Sequence, residues 1–173
     1  MNEIDQGQIN FFELRLADDI LAEKYSSDTP IWLDAEIYVD EIRIDEIHDI
    51  DLPTLLHSLV IDGCYEIFTC GCAVWGCAGI PEAVQVTHLG TKMNWRMCKP
   101  LSFQDMMESE IINYGYDPYQ HIEFTFNRDQ VITAIQRFID EVRNLLGNEP
   151  QRFGWPVQGF DVEKLLSIDL LNP

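Results

Sequence analysis

Between Asn127 and Gly147 the apolar residues Val131, Ile135, Phe138, Ile139, Val142, Leu145 and Leu146 fall on one stripe of a helix with 3.6 residues per turn. Asn127 reads as its cap, with Gln130 three positions on as the reciprocal partner, and Gly147 reads as its stop. A stripe of this width has to lie against a broad apolar surface. The segments upstream offer that surface as strands. From Ile31 to Val39, Ile31, Leu33, Ala35, Ile37 and Val39 share one face while Trp32, Asp34, Glu36 and Tyr38 share the other, which is period-two alternation with one wet side. The phase slips at Asp40-Glu41, where Ile42 and Ile44 take over the apolar set, so a turn or bulge is expected there.

Further elements follow the same logic. Gln8 to Leu16, Tyr65 to Cys70 and His121 to Phe126 read as strands, and Ala83–Leu89 with Lys92–Cys98 as a hairpin around Gly90-Thr91. Asp51-Leu52-Pro53 opens a short helix with Leu55, Leu56, Leu59 and Val60 on one stripe, ended by Gly63. Ser102 is placed as the cap of another helix to about Ile112, and Asp161 as the start of a last short one; 113–120 and 151–159 read as irregular. There is no regular βαβ alternation and no internal repeat. The expected fold is α+β: a mostly antiparallel sheet with one long amphipathic helix packed on it and one or two shorter helices. The 173 residues are read as a single domain, 1–173, with residues 1–7 flexible.

Charge narrows the partners. Thirty acidic against eleven basic side chains give a net charge of −19, of which residues 1–63 hold 16 acidic and 3 basic. Within 34–51, Asp34, Glu36, Asp40, Glu41, Asp45, Glu46, Asp49 and Asp51 face a single Arg43. Such a field repels nucleic acid and anionic membrane and speeds encounter with a basic protein. Solubility alone explains many acidic surfaces, so the charge by itself names no partner. No apolar run is long enough to span a bilayer, and the first residues lack a basic segment followed by an apolar one. With five cysteines, an odd number, and no export signal, the chain is read as cytoplasmic with reduced thiols.

Cys70, Cys72 and Cys77 crowd into a glycine-rich loop. A structural zinc ion needs four nitrogen or sulfur ligands, and Cys64, His88 or Cys98 are the candidates for the fourth. Paired Cys-x-x-Cys knuckles are absent, which favours a glycine-rich connection whose thiols pack as small hydrophobes. Thioredoxin spacing, a phosphate-binding glycine loop, a nucleophile elbow, a His-Glu-x-x-His motif and a calcium loop are all missing. His88 and His121 are the only bases that could serve a catalytic thiol, and nothing places either beside one. The chain is therefore read as a non-enzyme without a cofactor.

The run Glu66-Ile67-Phe68-Thr69-Cys70-Gly71-Cys72, then Trp75-Gly76-Cys77-Ala78-Gly79-Ile80 and a hairpin with Trp95, resembles a group of small uncharacterised bacterial proteins with a Cys-x-Cys-(x)4-Cys-x-Gly loop between two strands. The similarity covers about residues 60–100; members of the group carry a Cys-x-Cys-Gly-x-x-Gly-Cys-like loop, and Ala73 stands where that loop has its first glycine. It implies fold and compartment and no activity. Two functions remain. The first is an acidic cytoplasmic protein that neutralises a basic protein partner, such as a toxin immunity protein. Trp32, Asp34, Glu36, Tyr38, Asp40, Glu41, Asp45 and Glu46 would be its binding face, aromatic anchors ringed by charge. The alternative is a small zinc protein centred on Cys70, Cys72 and Cys77. Oligomeric state is not legible.

Overall fold

Two hairpin turns organise the sheets. The computed structural model describes residues 8–17, 31–45, 49–69, 82–98, 121–147, 153–155, 164, 167 and 169–170. In it, β1 (Phe12–Leu16) pairs antiparallel with β3 (Ala35–Val39), and β3 with the short β4 (Ile42–Arg43), giving the order β1-β3-β4. Asp40 and Glu41 join β3 to β4 at φ 50° and 69°. Two successive positive φ values are what a type I′ turn demands, and its twist matches the flanking strands. The expected phase slip is thus a two-residue turn.

A second sheet has the order β10-β9-β8-β6. Here β8 (Val84–Leu89) and β9 (Lys92–Cys98) form the hairpin expected around Gly90, whose φ of 63° suits the first position of its turn. Strand β10 (His121–Asn127) lies antiparallel to β9, and β6 (Gly63–Tyr65) antiparallel to β8. Two small pairings complete the architecture: β5 (Asp49–Ile50) with β7 (Phe68–Thr69), antiparallel, and β2 (Ile31–Trp32) with β11 (Phe153–Gly154), parallel.

Helix α1 (Leu52–Ser58) starts as the sequence suggests, with the Asp51 carboxylate accepting the Thr54 N–H at 3.0 Å and proline in the first turn. It ends before Gly63. The Ser58 hydroxyl donates to the Leu55 carbonyl, and the Leu59 and Val60 N–H groups bond to Leu56 and His57, tightening the last turn. Gly63 instead opens β6, where an added Cβ would stand 3.2 Å from the Tyr65 ring.

Helix α2 (Arg128–Leu146) buries all seven residues of the expected stripe. Asn127 caps it by accepting the Gln130 N–H, and Gly147 at φ 53° closes it. The reciprocal half of the capping box is not made. The Gln130 side chain reaches across to β1, accepting the Phe12 N–H at 3.2 Å and donating to the Phe12 carbonyl at 2.6 Å. It thereby occupies the open edge of β1 with an amide that mimics a neighbouring strand. Just before β1, Asn10 bridges to Phe126 and bonds to both backbone groups of Thr125, tying the two sheets together.

The core sits at that junction. Trp95, Phe12 and Phe126 meet edge to face with ring centroids 5.4–5.7 Å apart, all fully buried. Trp155 packs edge-on against Phe138 of α2 and donates its indole N–H to the Ile50 carbonyl, fixing β5 to the helix layer. The architecture is α+β with mostly antiparallel pairing and one long helix laid over β1 and β10. Three expected elements come out subdivided. Ile31–Val39 becomes β2 and β3, because the Leu33 N–H turns to Gly154 and the Asp34 carbonyl to Ala17. Tyr65–Cys70 becomes β6 and β7, since the chain changes sheets at Glu66-Ile67, where the Ile67 carbonyl takes the Asp51 N–H. Gln8–Leu16 is a strand only from Phe12. The helices expected at 102–112 and from Asp161, and Cys70, Cys72 and Cys77 with their loop, lie outside the described residues.

Candidate functional site

The outward face of the first sheet carries the residues singled out by charge, and the register shows why they do not act as bare acids. Glu13 lies opposite Tyr38, Arg15 opposite Glu36, and Tyr38 opposite Arg43. Arg43 Nη1 meets Glu36 Oε1 at 2.5 Å and its Nε meets Asp45 Oδ1 at 3.1 Å. The Tyr38 hydroxyl donates to Glu36 at 2.9 Å, and the Arg15 guanidinium pairs with Glu13 while lying 4.1 Å above the Tyr38 ring. The hydrogen bond to Glu36, with some burial, raises the Tyr38 hydroxyl above its ordinary pKa. Burial works against the charge on Arg43, yet Asp45, Glu36 and Asp34 outweigh it and raise its pKa.

Asp45 is a correction to the expected binding face. Its side chain is fully buried, with Oδ1 accepting the Ile37 N–H at 3.1 Å in addition to Arg43, so it offers no surface for a partner to touch. Burial pushes its pKa up to about 6 against the opposing pull of Arg43 and the Ile37 N–H. Glu36 and Tyr38 are half-buried within the same network, and Glu46 lies outside the described residues. Trp32 remains exposed, standing over Gly154 of β11.

The turn is different. Asp40 accepts the Phe11 N–H and an Asn10 amide hydrogen at 2.7 Å each, bonds that hold its carboxyl below the usual range. Around it, Ile9 (51%), Phe11 (52%) and Ile42 (69%) show half or more of their surface to solvent, and Glu41 is exposed beside them. Of the seven exposed large apolar side chains among the described residues, these three belong to the acidic sheet and its approach, while Trp32 stands on β2, which pairs with β11. Val60, Ile61 and Leu89 lie elsewhere, near α1 and the β8–β9 turn. Sequence reasoning missed Ile9 and Phe11, and although Ile42 lies opposite buried Val39 as the alternation implies, its exposure was not foreseen. Alternation assigns a residue next to a tight turn to the apolar face, but β4 is a two-residue edge strand that nothing described covers.

The candidate fourth zinc ligands also separate. Cys64 is exposed on β6, and His88 Nε2 lies 3.0 Å from the Ser58 carbonyl. Cys98 is buried, and its Sγ stands 4.0 Å from His121 Nε2, which in turn meets Glu82 Oε2 at 2.9 Å. No protein-family model, curated protein or solved structure matches the chain. No helix among the described residues is long and apolar enough to cross a membrane. Neither Glu82 nor its meeting with Cys98 and His121 was foreseeable, because the pairing of β9 with β10 crosses 22 intervening residues with no short-range signature.

Proposed function

We propose that this protein is a cytoplasmic binding protein that neutralises a basic protein partner, in the manner of a toxin immunity protein. Its contact surface is the apex formed by Asp40, Glu41, Ile42, Phe11 and Ile9. One observation carries the reading: three large apolar side chains lie exposed around a turn whose two non-glycine residues are held at positive φ. Positive φ costs such residues roughly 1–2 kcal/mol each, and strain of this kind gathers where a fold presents side chains for recognition. An aromatic and two isoleucines beside two carboxylates suit a partner with an apolar pocket rimmed by Lys or Arg. The Glu13–Arg15–Tyr38–Glu36–Arg43 network keeps the supporting sheet rigid and leaves the apex to supply the unspent negative charge.

The test starts from a partner captured at low salt, then purified and titrated calorimetrically. Phe11→Ala should weaken binding by about 30-fold, the loss of an anchor worth about 2 kcal/mol. Glu41→Lys should chiefly slow association and flatten its salt dependence. A partner that is not basic, or whose affinity ignores both substitutions, defeats the proposal.

A further inference from the structure

We propose that Glu82, Cys98 and His121 form a zinc site at the end of the second sheet, separate from the docking apex. Three neighbouring strands deliver the three donors to one point. The middle strand, β9, ends with Cys98; β10 on one flank begins with His121, directly opposite Cys98; and Glu82 lies two residues before β8 on the other flank. The thiol sulfur, an imidazole nitrogen and a carboxylate oxygen all lie within 4.8 Å of one another.

The spacing already approximates a coordination shell. Bonds of about 2.0 Å to nitrogen and oxygen and about 2.3 Å to sulfur put tetrahedral ligands roughly 3.3 Å apart for N and O and roughly 3.6 Å for S and N. The observed separations are 2.9 Å between His121 and Glu82 and 4.0 Å between Cys98 and His121. For these two pairs, changes of about half an ångström, within reach of side-chain rotation, bring the donors to coordination spacing. The donor set selects the metal. Calcium and magnesium take oxygen ligands, whereas one sulfur, one nitrogen and one carboxylate oxygen suit borderline zinc. Burial is graded as entry requires: Cys98 is 1% exposed, while the His121 and Glu82 side chains keep 27% and 50% of their surface open to solvent.

A His–Glu pair lying over a buried thiol is the bland alternative, and it differs in what it does with zinc. Coordination needs the Cys98 thiolate and an unprotonated His121 Nε2, so protons leave as the ion binds and affinity rises with pH. The full-length protein, reduced and stripped of metal, is titrated with Zn²⁺ against a chromophoric chelator, and separately with Co²⁺ to read thiolate-to-metal absorption. The expected result is one ion per chain. Glu82→Gln and His121→Ala should each weaken it by at least about tenfold, and Cys98→Ser should abolish the thiolate band. The first two positions are partly open to solvent, so these variants are readable even if Cys98→Ser fails to fold. Absence of binding, or zinc held with unchanged affinity by the His121→Ala protein, overturns the site.

Discussion

A single carboxylate shows what charge counting hides. Asp45 stands among eight acids in the 34–51 window, yet among the described ones it is the one whose side chain the fold closes over, with Arg43 and the Ile37 N–H on one oxygen and Oδ2 without a hydrogen-bond partner among the described residues. Its pKa, about 6 in the folded chain against 3.8 in the unfolded one, means that the native state holds the proton more tightly. The contribution of this group is therefore fully present below about pH 4 and is lost as the pH rises through 6. Asp45→Asn removes that titration. In urea unfolding, the wild-type stability measured relative to the variant should rise by up to about 3 kcal/mol between pH 7 and pH 4. A constant difference would mean that Asp45 titrates normally. Its neighbour Asp40 runs the other way: the Phe11 and Asn10 hydrogen bonds favour its charged form, a benefit that fades on acidification. Composition placed both in one solvated run; only the turn and the register separate them.

At the level of elements, the helix and the tight hairpin were open to reading because their signals are local. Seven apolar residues at helical spacing and a Gly-Thr pair between alternating runs each contain their own explanation, and α2 and β8–β9 follow them closely. What stayed hidden depends on distant neighbours. Gln130 has the residue type and position of a capping-box partner, but an unclaimed strand edge lies within its reach and offers two backbone groups in place of one. The donor cluster at Cys98 is hidden for the same reason. Gln130→Ala should leave the Phe12 N–H and carbonyl without this partner and destabilise the protein by about 2 kcal/mol, read as a shift in the denaturation midpoint at constant slope. Gln130→Glu keeps the acceptor and loses the donor, so it should fall between the two. If the alanine variant unfolds like wild type, water replaces the amide adequately.

For the molecule as a whole the imbalance of charge matters more than any pair. Arg15, Arg43, Arg96, Arg137 and Arg143 each face a carboxylate, which leaves a net charge of −19 largely as uncompensated acid. Self-repulsion should make the fold less stable at low ionic strength. Raising salt from about 10 mM to about 0.5 M, which shortens the screening length several-fold, should raise the Tm by a few degrees. A falling Tm would show that the ion pairs, and not the repulsion, dominate. Another whole-molecule property follows from the parallel pairing of β2 with β11 and from Asn10 and Phe12 leaning on β10 and α2. Each joins residues more than a hundred positions apart. A chain emerging from the ribosome cannot close these contacts until residues 126 to 154 are made. Strand β2 and the outer edge of β1 must wait for these late partners, although β1 meets β3 early, and the excess of 16 acidic over 3 basic groups in residues 1–63 disfavours association of the waiting chains.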